Sequence, residues 1–331
     1  RGQAVLVHVD AGTANAAMGM HNLCRSRLPV LLMAGRAPHT LHGELPGTRD
    51  NYVHFVQDPF DLGSLVRPYV KWEYNLPTGV VIKEALRRAH TVMHSESPGP
   101  VYMSLPRETL AESWDREAIR SYSASDYGPV APAGLSRAQA TAIAQRLMQA
   151  NAPVAITTYL GRNPDAPAAL DALAQACGIA VYEASPSSLS LPRSSPCFAG
   201  FDASAALREA DVGLLLDVDV PWLPKPGSSH PDTHWIHLDV DAVKKDFPMW
   251  GFASHQRHAV DCASALADVL AAVNELRASD PGLVDELIEM LDASEQPGLS
   301  VDRPLPAQAL PDDLGDERGY RVLREIGRGG M

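Results

Sequence analysis

Short apolar runs alternate along this chain with stretches whose apolar residues recur every three or four positions. Residues 4–9 form an apolar run rich in β-branched side chains, which is typical of a buried parallel strand. The polar residues 10–15 predict a loop, and the spacing of apolar side chains over 14–24 predicts a helix. Residues 29–34 form a second apolar run that ends at Gly35. Strand, loop, helix and strand together predict a βαβ unit.

The same alternation continues to about residue 278. It predicts further strands at 66–72, 101–105, 153–158, 179–183, 211–217 and 233–240, and helices at 79–94, 137–150, 166–177, 203–210 and 262–278. Thr78 and Ser136 are candidate helix N-caps, and Gly178 is a candidate helix stop. The predicted fold is α/β, with two doubly wound parallel-sheet domains. We expect the first domain to be truncated at its N-terminus, because the chain opens only a few residues before a core strand.

The pattern divides the chain into five parts. Residues 1–112 form the first domain, and the irregular residues 113–135 form a linker. Residues 136–278 are expected to form a six-stranded parallel nucleotide-fold domain. Residues 279–319 read as a helix followed by a proline-rich linker, and residues 320–331 form a separate terminal segment.

Composition and charge narrow the class of protein. The chain has 331 residues with 28 basic and 40 acidic side chains, a net charge of −12, which argues against a nucleic-acid partner. No apolar run approaches the roughly 18 residues that a membrane span requires. The opening residues show no basic stretch followed by an apolar one, so we expect no signal peptide. The four cysteines are widely spaced, which favours reduced thiols in the cytoplasm over a disulfide framework or a zinc site.

Candidate chemistry lies where the first strands end, because ligands of parallel sheets bind at the carboxyl ends of strands. Gly12, Thr13 and Asn15 follow the first strand, and Gly35 follows the second. One interpretation is that these residues line a bound ligand. The alternative is a strand-to-helix turn that Thr13 and Asn15 merely cap.

A long polar loop at 38–58 carries three histidines that could transfer protons near neutral pH. These are His39, His42 and His54, although the simpler interpretation of each is a solvated loop residue. We regard His54 as the first to test. No metal site is predicted, since His90 and His94 lack the glutamate of the zinc-protease pattern.

Four ordered motifs carry a family resemblance. They are His-Val-Asp-x-Gly-Thr-x-Asn at 8–15, Pro-Val-Leu-Leu-x-Ala-Gly-x-Ala-Pro at 29–38, Val-Gln-Asp at 56–58, and Gly-Pro-Val-Tyr-Met-Ser-Leu-Pro-Arg at 99–107. Together they resemble the pyrimidine-binding domain of thiamine-diphosphate-dependent enzymes, in particular the acetolactate synthase and benzoylformate decarboxylase group. The resemblance continues through the central domain to about residue 273.

The resemblance implies an enzyme that decarboxylates a 2-keto acid and then transfers or releases the aldehyde unit. It implies thiamine diphosphate and Mg²⁺ as cofactors, and a homodimer or tetramer, because the family assembles its site between subunits. Gly12, Thr13 and Asn15 match the family's loop beside the pyrimidine ring. Gln57 matches the glutamine that faces the reacting carbon in acetolactate synthases, although it could also be a surface side chain before a proline turn.

Two departures from the family pattern bear on activity. The glutamate that activates the cofactor would precede residue 1, and no Gly-Asp-Gly segment for Mg²⁺ and the diphosphate is present; Gly315-Asp-Glu317 is the nearest. This chain alone is therefore expected to be inactive. FAD, which some central domains bind, is not favoured, because no Gly-x-Gly-x-x-Gly follows a strand. Asp239 and Asp241 could meet a ribose or could simply cap a loop.

The last dozen residues resemble a different family of proteins. Residues 320–331 resemble the first strand and the start of the glycine-rich loop of bacterial Ser/Thr protein kinases. A second hypothesis follows, in which the chain is a catalytically silent α/β interaction module ahead of a kinase domain. A third is a chimeric gene product.

Overall fold

Two parallel sheets organise the chain. The computed structural model describes residues 2–120 and 123–279. The first sheet has the strand order β1-β2-β4-β3, and all its pairs are parallel. Its strands and helices are β1 (Gln3–Val7), α1 (Val9–Arg25), β2 (Val30–Arg36), α2 (Val53–Val56), β3 (Glu73–Asn75), α3 (Ile82–His94), β4 (Val101–Pro106) and α4 (Arg107–Ala111).

The second sheet has six strands in the order β10-β9-β8-β5-β6-β7, again all parallel. Its elements are α5 (Arg137–Met148), β5 (Pro153–Thr157), α6 (Ala166–Cys177), β6 (Ala180–Glu183), β7 (Phe198–Gly200), β8 (Val212–Leu216), β9 (His234–Asp239), β10 (Gln256–Ala259) and α7 (Cys262–Ser279). These findings confirm the α/β fold with two parallel-sheet domains. The proposed domain boundaries stay predictions, since the described residues fall in one compact unit.

Apolar packing gives each sheet its layers. Helix α1 packs on one face of the first sheet through Met20, and α3 packs on the other face through Ala89 and Met93. In the second domain α5, α6 and α7 share one buried core with the sheet. Removal of this apolar area from water is the main favourable term in forming both domains.

Helix ends follow the sequence signals closely. Thr78 accepts a hydrogen bond from the Val80 N–H. Ser136 and Gln139 form a reciprocal capping box at the start of α5. Gly178 adopts φ +65° immediately after α6, a left-handed conformation that glycine reaches without strain.

Several predictions from the sequence are wrong. Residues 66–72 form 3₁₀ turns instead of a strand, and Pro68 in that segment has no N–H to donate to a ladder. The strand that pairs with β4 is β3 instead. The predicted helix at 203–210 is only a 3₁₀ turn, Ala206–Arg208. The first strand, expected to be buried, is an edge strand with exposed Val5 and Leu6.

Strands β7 and β10 were missed, because β7 spans three residues and β10 reads Gln-Arg-His-Ala without an apolar run. The predicted features at 279–319 and 320–331 lie outside the described residues, apart from Ser279 at the end of α7.

The turn from β1 into α1 is sharp. His8 is the N-cap, and Val9 starts the helix with φ +39°, a conformation that costs a β-branched residue of the order of 1–3 kcal/mol. Gly12 allows the helix to approach the strand, because a Cβ at this position would lie 2.9 Å from the Val7 Cβ. Thr13 is fully buried, donates its hydroxyl to the Val9 carbonyl at 2.6 Å and lies 3.3 Å from the Tyr102 hydroxyl.

Buried charges join the two sheets. Arg27, just beyond α1, makes a bidentate ion pair with Asp219 beyond β8, at 2.7 and 3.2 Å. Its guanidinium also lies 3.9 Å from the ring centroid of Tyr159. Lys244, fully buried, donates to the Tyr159 hydroxyl at 2.5 Å and to Asp239 at 2.6 Å, and lies 3.1 Å from Asp219. We call these five residues the interdomain ion cluster.

Backbone strain concentrates at the same place. Five non-glycine residues in the described part of the chain have positive φ, and three of them lie in or beside the ion cluster: Arg27 at +55°, Asp217 at +42° and Lys244 at +55°. Such conformations persist only where surrounding contacts over-determine them. For Arg27 and Lys244, the charge pairs of the cluster are therefore the contacts that hold the backbone in place.

The close approach of α1 to β1 can be tested with two glycines on one helix. Gly19→Ala should stabilise the protein by up to about 1 kcal/mol, because a Cβ there meets open space and alanine favours helix. Gly12→Ala has the same helical benefit but meets Val7, and should destabilise by about 1–3 kcal/mol. Urea unfolding of both variants measures the difference, and equal stabilisation by the two alanines would contradict this packing.

The carboxyl group of Asp217 should give the protein a distinctive pH dependence. Full burial, with help from the Asp239 charge, raises its pKa from 3.8 to about 8. A raised folded-state pKa means that stability is lost as the pH rises from about 4 to about 8, because the unfolded chain releases this proton near pH 4 while the folded state keeps it until about pH 8.

Asp217→Asn should remove this loss, since asparagine is neutral and tolerates the left-handed backbone. Urea unfolding between pH 5 and pH 9 should show a shallower decline for Asp217→Asn than for the wild type. The exposed variant Asp202→Asn should retain the wild-type slope. Parallel curves for the wild type and Asp217→Asn would disprove that Asp217 causes the loss of stability.

Candidate functional site

The carboxyl end of β1 and the loop at 38–58 meet at His8 and Gln57. The His8 Nε2 and the Gln57 Oε1 lie 3.2 Å apart, within hydrogen-bond distance, and both side chains reach solvent. The strained turn at Val9 places the His8 imidazole at the end of the strand. Gln57 ends α2, where its N–H donates to the Val53 carbonyl at 3.0 Å.

Glu108 anchors the start of the loop that carries Gln57. Its buried carboxylate accepts hydrogen bonds from the His39 N–H, the Thr40 N–H and the Thr40 hydroxyl at 2.7–2.9 Å. Burial acts to raise the pKa of Glu108, but these hydrogen bonds, led by the Thr40 hydroxyl, outweigh it and hold the pKa below its ordinary value. The loop is thus fixed by a charged group that stays ionised at neutral pH.

Ion pairs fix the rest of the loop. Arg107 pairs bidentately with Asp50 at 2.7 and 2.9 Å, and Arg49 pairs with Asp58, the residue after Gln57. The Arg107–Asp50 pair is exposed and contributes little to global stability, whereas Arg49 and Asp58 are partly buried. Together the two pairs define one loop conformation. Gln57 is therefore presented from a loop with a defined shape.

The residues proposed to bind the cofactor do not occupy a loop. Helix α1 begins at Val9, so Gly12, Thr13 and Asn15 lie in its first two turns, and the expected loop at 10–15 is wrong. The reason is that the helix needs no separate turn segment when His8 itself serves as N-cap.

Thr13 and Gly12 have packing partners that account for their identity, whereas Asn15 is exposed. Gly35 is half-buried, and a Cβ there would make only an ordinary contact with Val9 at 3.9 Å. Their role in cofactor binding stays a prediction.

Two of the three loop histidines have partners of their own. His54 lies on α2 with its Nδ1 3.4 Å from both the Asp50 N–H nitrogen and the Asp50 carboxylate. His39 lies 3.1 Å from the Glu108 carboxylate. His42 is exposed. The structure thus brings His8, and no loop histidine, into hydrogen-bond contact with Gln57.

Sequence reasoning passed over His8 as a chemical group. His8 is the first residue of the motif at 8–15 and directly follows an apolar run. Parallel sheets present ligand-binding residues from this position, at the end of a strand. Its contact with Gln57 joins residues 49 positions apart and is visible only in the fold.

The carboxyl edge of the second sheet is closed by the protein's own side chains. The strand order reverses between β5 and β8, where such sheets usually bind nucleotides. There the Asp217 carbonyl accepts the N–H groups of Thr158 and Tyr159 at 3.2 and 3.0 Å. The Tyr159 hydroxyl lies 2.7 Å from both Asp239 oxygens, which also accept from Lys244 and from the Val218 N–H. Asp239 is fully buried and has no oxygen left to meet a ribose.

A cavity of about 510 Å³ opens on the second domain between the loops after β6, β7 and β8. None of the candidate site residues lines it. Residues 2–120 and 123–279 contain no group of three or more His, Cys, Asp or Glu side chains placed to hold a metal ion. The helices in those ranges include none with the length and apolar character of a membrane span.

Comparison with known proteins gives related sequences and related structures, while no protein-family model matches. Acetolactate synthase from Bacillus subtilis (strain 168) is 23% identical over 244 residues, which cover 71% of this chain and 40% of that protein. Benzoylformate decarboxylase from Polynucleobacter necessarius has a TM-score of 0.64 at 17% identity, over 82% of this chain and 50% of that one.

The thiamine diphosphate-dependent 4-hydroxybenzoylformate decarboxylase of Rhodococcus jostii RHA1 has a TM-score of 0.62 at 21% identity, over 83% of this chain and 50% of that one. The chain therefore spans about half the length of the relatives it matches. Over that span the comparisons confirm the resemblance read from the sequence: the chain shares the two-sheet α/β fold of the thiamine-diphosphate-dependent enzymes that include acetolactate synthase and benzoylformate decarboxylase.

Proposed function

We propose that this chain supplies one wall of a thiamine-diphosphate site that decarboxylates a 2-keto acid, as acetolactate synthase and the benzoylformate decarboxylases do. The observation that carries the proposal is the His8–Gln57 contact at the carboxyl end of β1. It places an imidazole and an amide together at the edge where parallel sheets bind ligands. The aldehyde unit is then either released or transferred to an acceptor.

The cofactor, when bound, supplies the carbon that attacks the keto group and accepts the electrons left by CO₂. His8 and Gln57 supply proton chemistry and orientation. The Gln57 oxygen accepts a hydrogen bond, so it selects the His8 tautomer with the proton on Nε2. The Nδ1 of His8 then carries a lone pair and can take or return a proton.

The residues present fit only part of the cofactor. An exposed imidazole and amide suit the reacting end, but residues 2–120 and 123–279 hold no group of three or more His, Cys, Asp or Glu side chains placed for Mg²⁺. We propose that the chain forms a homodimer or tetramer, and that Mg²⁺ and the diphosphate are held by residues outside those described. The segment at 52–60 supports such an interface, because Tyr52, Phe55, Val56 and Phe60 are exposed apolar side chains around Gln57.

Two further assignments follow the same reasoning. The filled edge around Asp239 supports a central domain without FAD. The four free cysteines support a cytoplasmic location, where thiols stay reduced.

Replacing His8 tests the proposed chemistry. In the native protein with thiamine diphosphate and Mg²⁺, His8→Ala should lower kcat/KM for decarboxylation of benzoylformate or pyruvate by about 10²–10⁴-fold, the usual contribution of a general acid–base. His42→Ala, an exposed histidine of the loop at 38–58, is the matched control and should retain activity. Equal activity of the two variants would remove His8 from the reaction.

Gln57 should act through His8. If its amide fixes the His8 tautomer, Gln57→Ala should lower kcat, and the double variant should lose little more than His8→Ala alone. Steady-state kinetics of the two single variants and the double variant measure this coupling. Fully additive losses would show that the two side chains work independently. Calorimetry that detects no binding of thiamine diphosphate to the native protein would refute the proposed function and favour a silent interaction module.

A further inference from the structure

A small cavity of about 50 Å³ lies between the two sheets, beside the interdomain ion cluster. One wall comes from the end of α1, from Lys71 before β3 and from the turn at 97–99 before β4. The other wall comes from the turn at 241–247 after β9. One water needs about 10–15 Å³ of cavity volume, so this cavity has room for three or four water-sized groups.

The cavity is cationic although the chain carries a net charge of −12. Its wall holds four cationic side chains and two carboxylates, namely Arg25, Arg27, Lys71, Lys245, Asp241 and Asp246. Arg27 is neutralised by Asp219. Arg25, Lys71 and Lys245 have no carboxylate within 4.0 Å in the described parts of the chain. Arg25 instead approaches the Asp246 backbone carbonyl at 3.5 Å and stacks on Phe247.

Lys71 shows the lack of a counter-charge most clearly. Its ammonium donates to the Val92 and Ser95 carbonyls at 2.6 and 2.8 Å, which leaves a third N–H without a partner in the described structure. Burial, together with the charge of Lys245, lowers the pKa of Lys71 to about 8. The Lys71 side chain is exposed to solvent as well as to the cavity, so an anion can reach its ammonium and stabilise the charged form.

The Glu96 carboxylate acts to raise the pKa of Lys71, but its ion-pair partner is Arg162, at 3.6 Å. Burial raises the pKa of Cys24, so its thiol is neutral at physiological pH. Asp241 accepts a hydrogen bond from the Lys244 N–H and is occupied by its own turn.

We propose that this cavity binds a small inorganic oxyanion of the size of phosphate, held by Lys71, Lys245 and Arg25. Three cations without carboxylate partners around a space of this size suit a tetrahedral anion and exclude a nucleotide. Because Lys71 and Arg25 belong to the first domain and Lys245 follows β9, the bound anion bridges the two sheets. It therefore stabilises their association in addition to the interdomain ion cluster.

Thermal unfolding of the full chain tests the proposal with inorganic phosphate as the probe. The phosphate concentration is varied at constant ionic strength with sodium chloride as the balancing salt, so that screening stays fixed. Tm should rise with phosphate in the wild type. Lys245→Met should abolish the rise, and because this side chain is exposed the variant should fold. Lys225→Met, an exposed lysine elsewhere on the second domain, should respond as the wild type does.

Isothermal calorimetry supplies the second measurement. Loss of one charged hydrogen bond should raise the Kd for phosphate at least about tenfold in Lys245→Met and in Lys71→Met. A wild-type Tm that does not respond to phosphate, an equal response to chloride, or an unchanged Kd in Lys245→Met would each overturn the proposal. None of these outcomes depends on catalytic activity.

Discussion

The pairing of buried charges between the two sheets is the constraint on which this structure depends. Asp219 and Asp239 face Arg27 and Lys244 in a region from which water is largely excluded. A buried ion left without its partner costs about 3–5 kcal/mol, so each member of the cluster requires the others. Burial acts to raise the pKa of Asp239, but hydrogen bonding from His237 and the Lys244 charge outweigh it and keep the carboxylate ionised. Left-handed backbones at Arg27 and Lys244 show that the pairing, and not local preference, determines the conformation there.

The cluster also fixes the candidate site, because one helix connects them. Arg27 lies just beyond the end of α1, and His8 caps its start. At 1.5 Å per residue the 17-residue helix spans about 25 Å, so an ion pair at one end sets the direction in which the other end presents its imidazole. The two carboxyl edges consequently differ. At the edge of the second sheet, Tyr159 and Lys244 occupy the Asp239 carboxylate, while the edge of the first sheet leaves His8 and Gln57 facing solvent.

Local signals in the sequence were sufficient for much of the fold. Ser136 marks the start of its helix through a short-range hydrogen bond, and Gly178 marks the end of its helix through backbone freedom. Both effects depend on a few neighbouring residues. The predicted loop at 10–15 failed because Asp10 and Gly12 are typical of loops, whereas tertiary packing of Gly12 against Val7 selects a helix. The interdomain ion cluster could not be predicted from the sequence, since Arg27 and Asp219 are 192 positions apart. The site was predicted in part: Gln57 was named from its motif, but its partner His8 emerged only from the fold.

We propose that His8 and Gln57 form the wall of a cofactor cleft. The most direct measurement is a crystal structure of the native protein grown with thiamine diphosphate and Mg²⁺. We expect the cofactor's reacting ring to lie within hydrogen-bond reach of the His8 imidazole and the Gln57 amide, at about 3 Å or through one water. We expect its diphosphate to be held by residues outside those described. A cofactor bound at another surface, or a His8–Gln57 pair covered by protein in the assembled molecule, would contradict it.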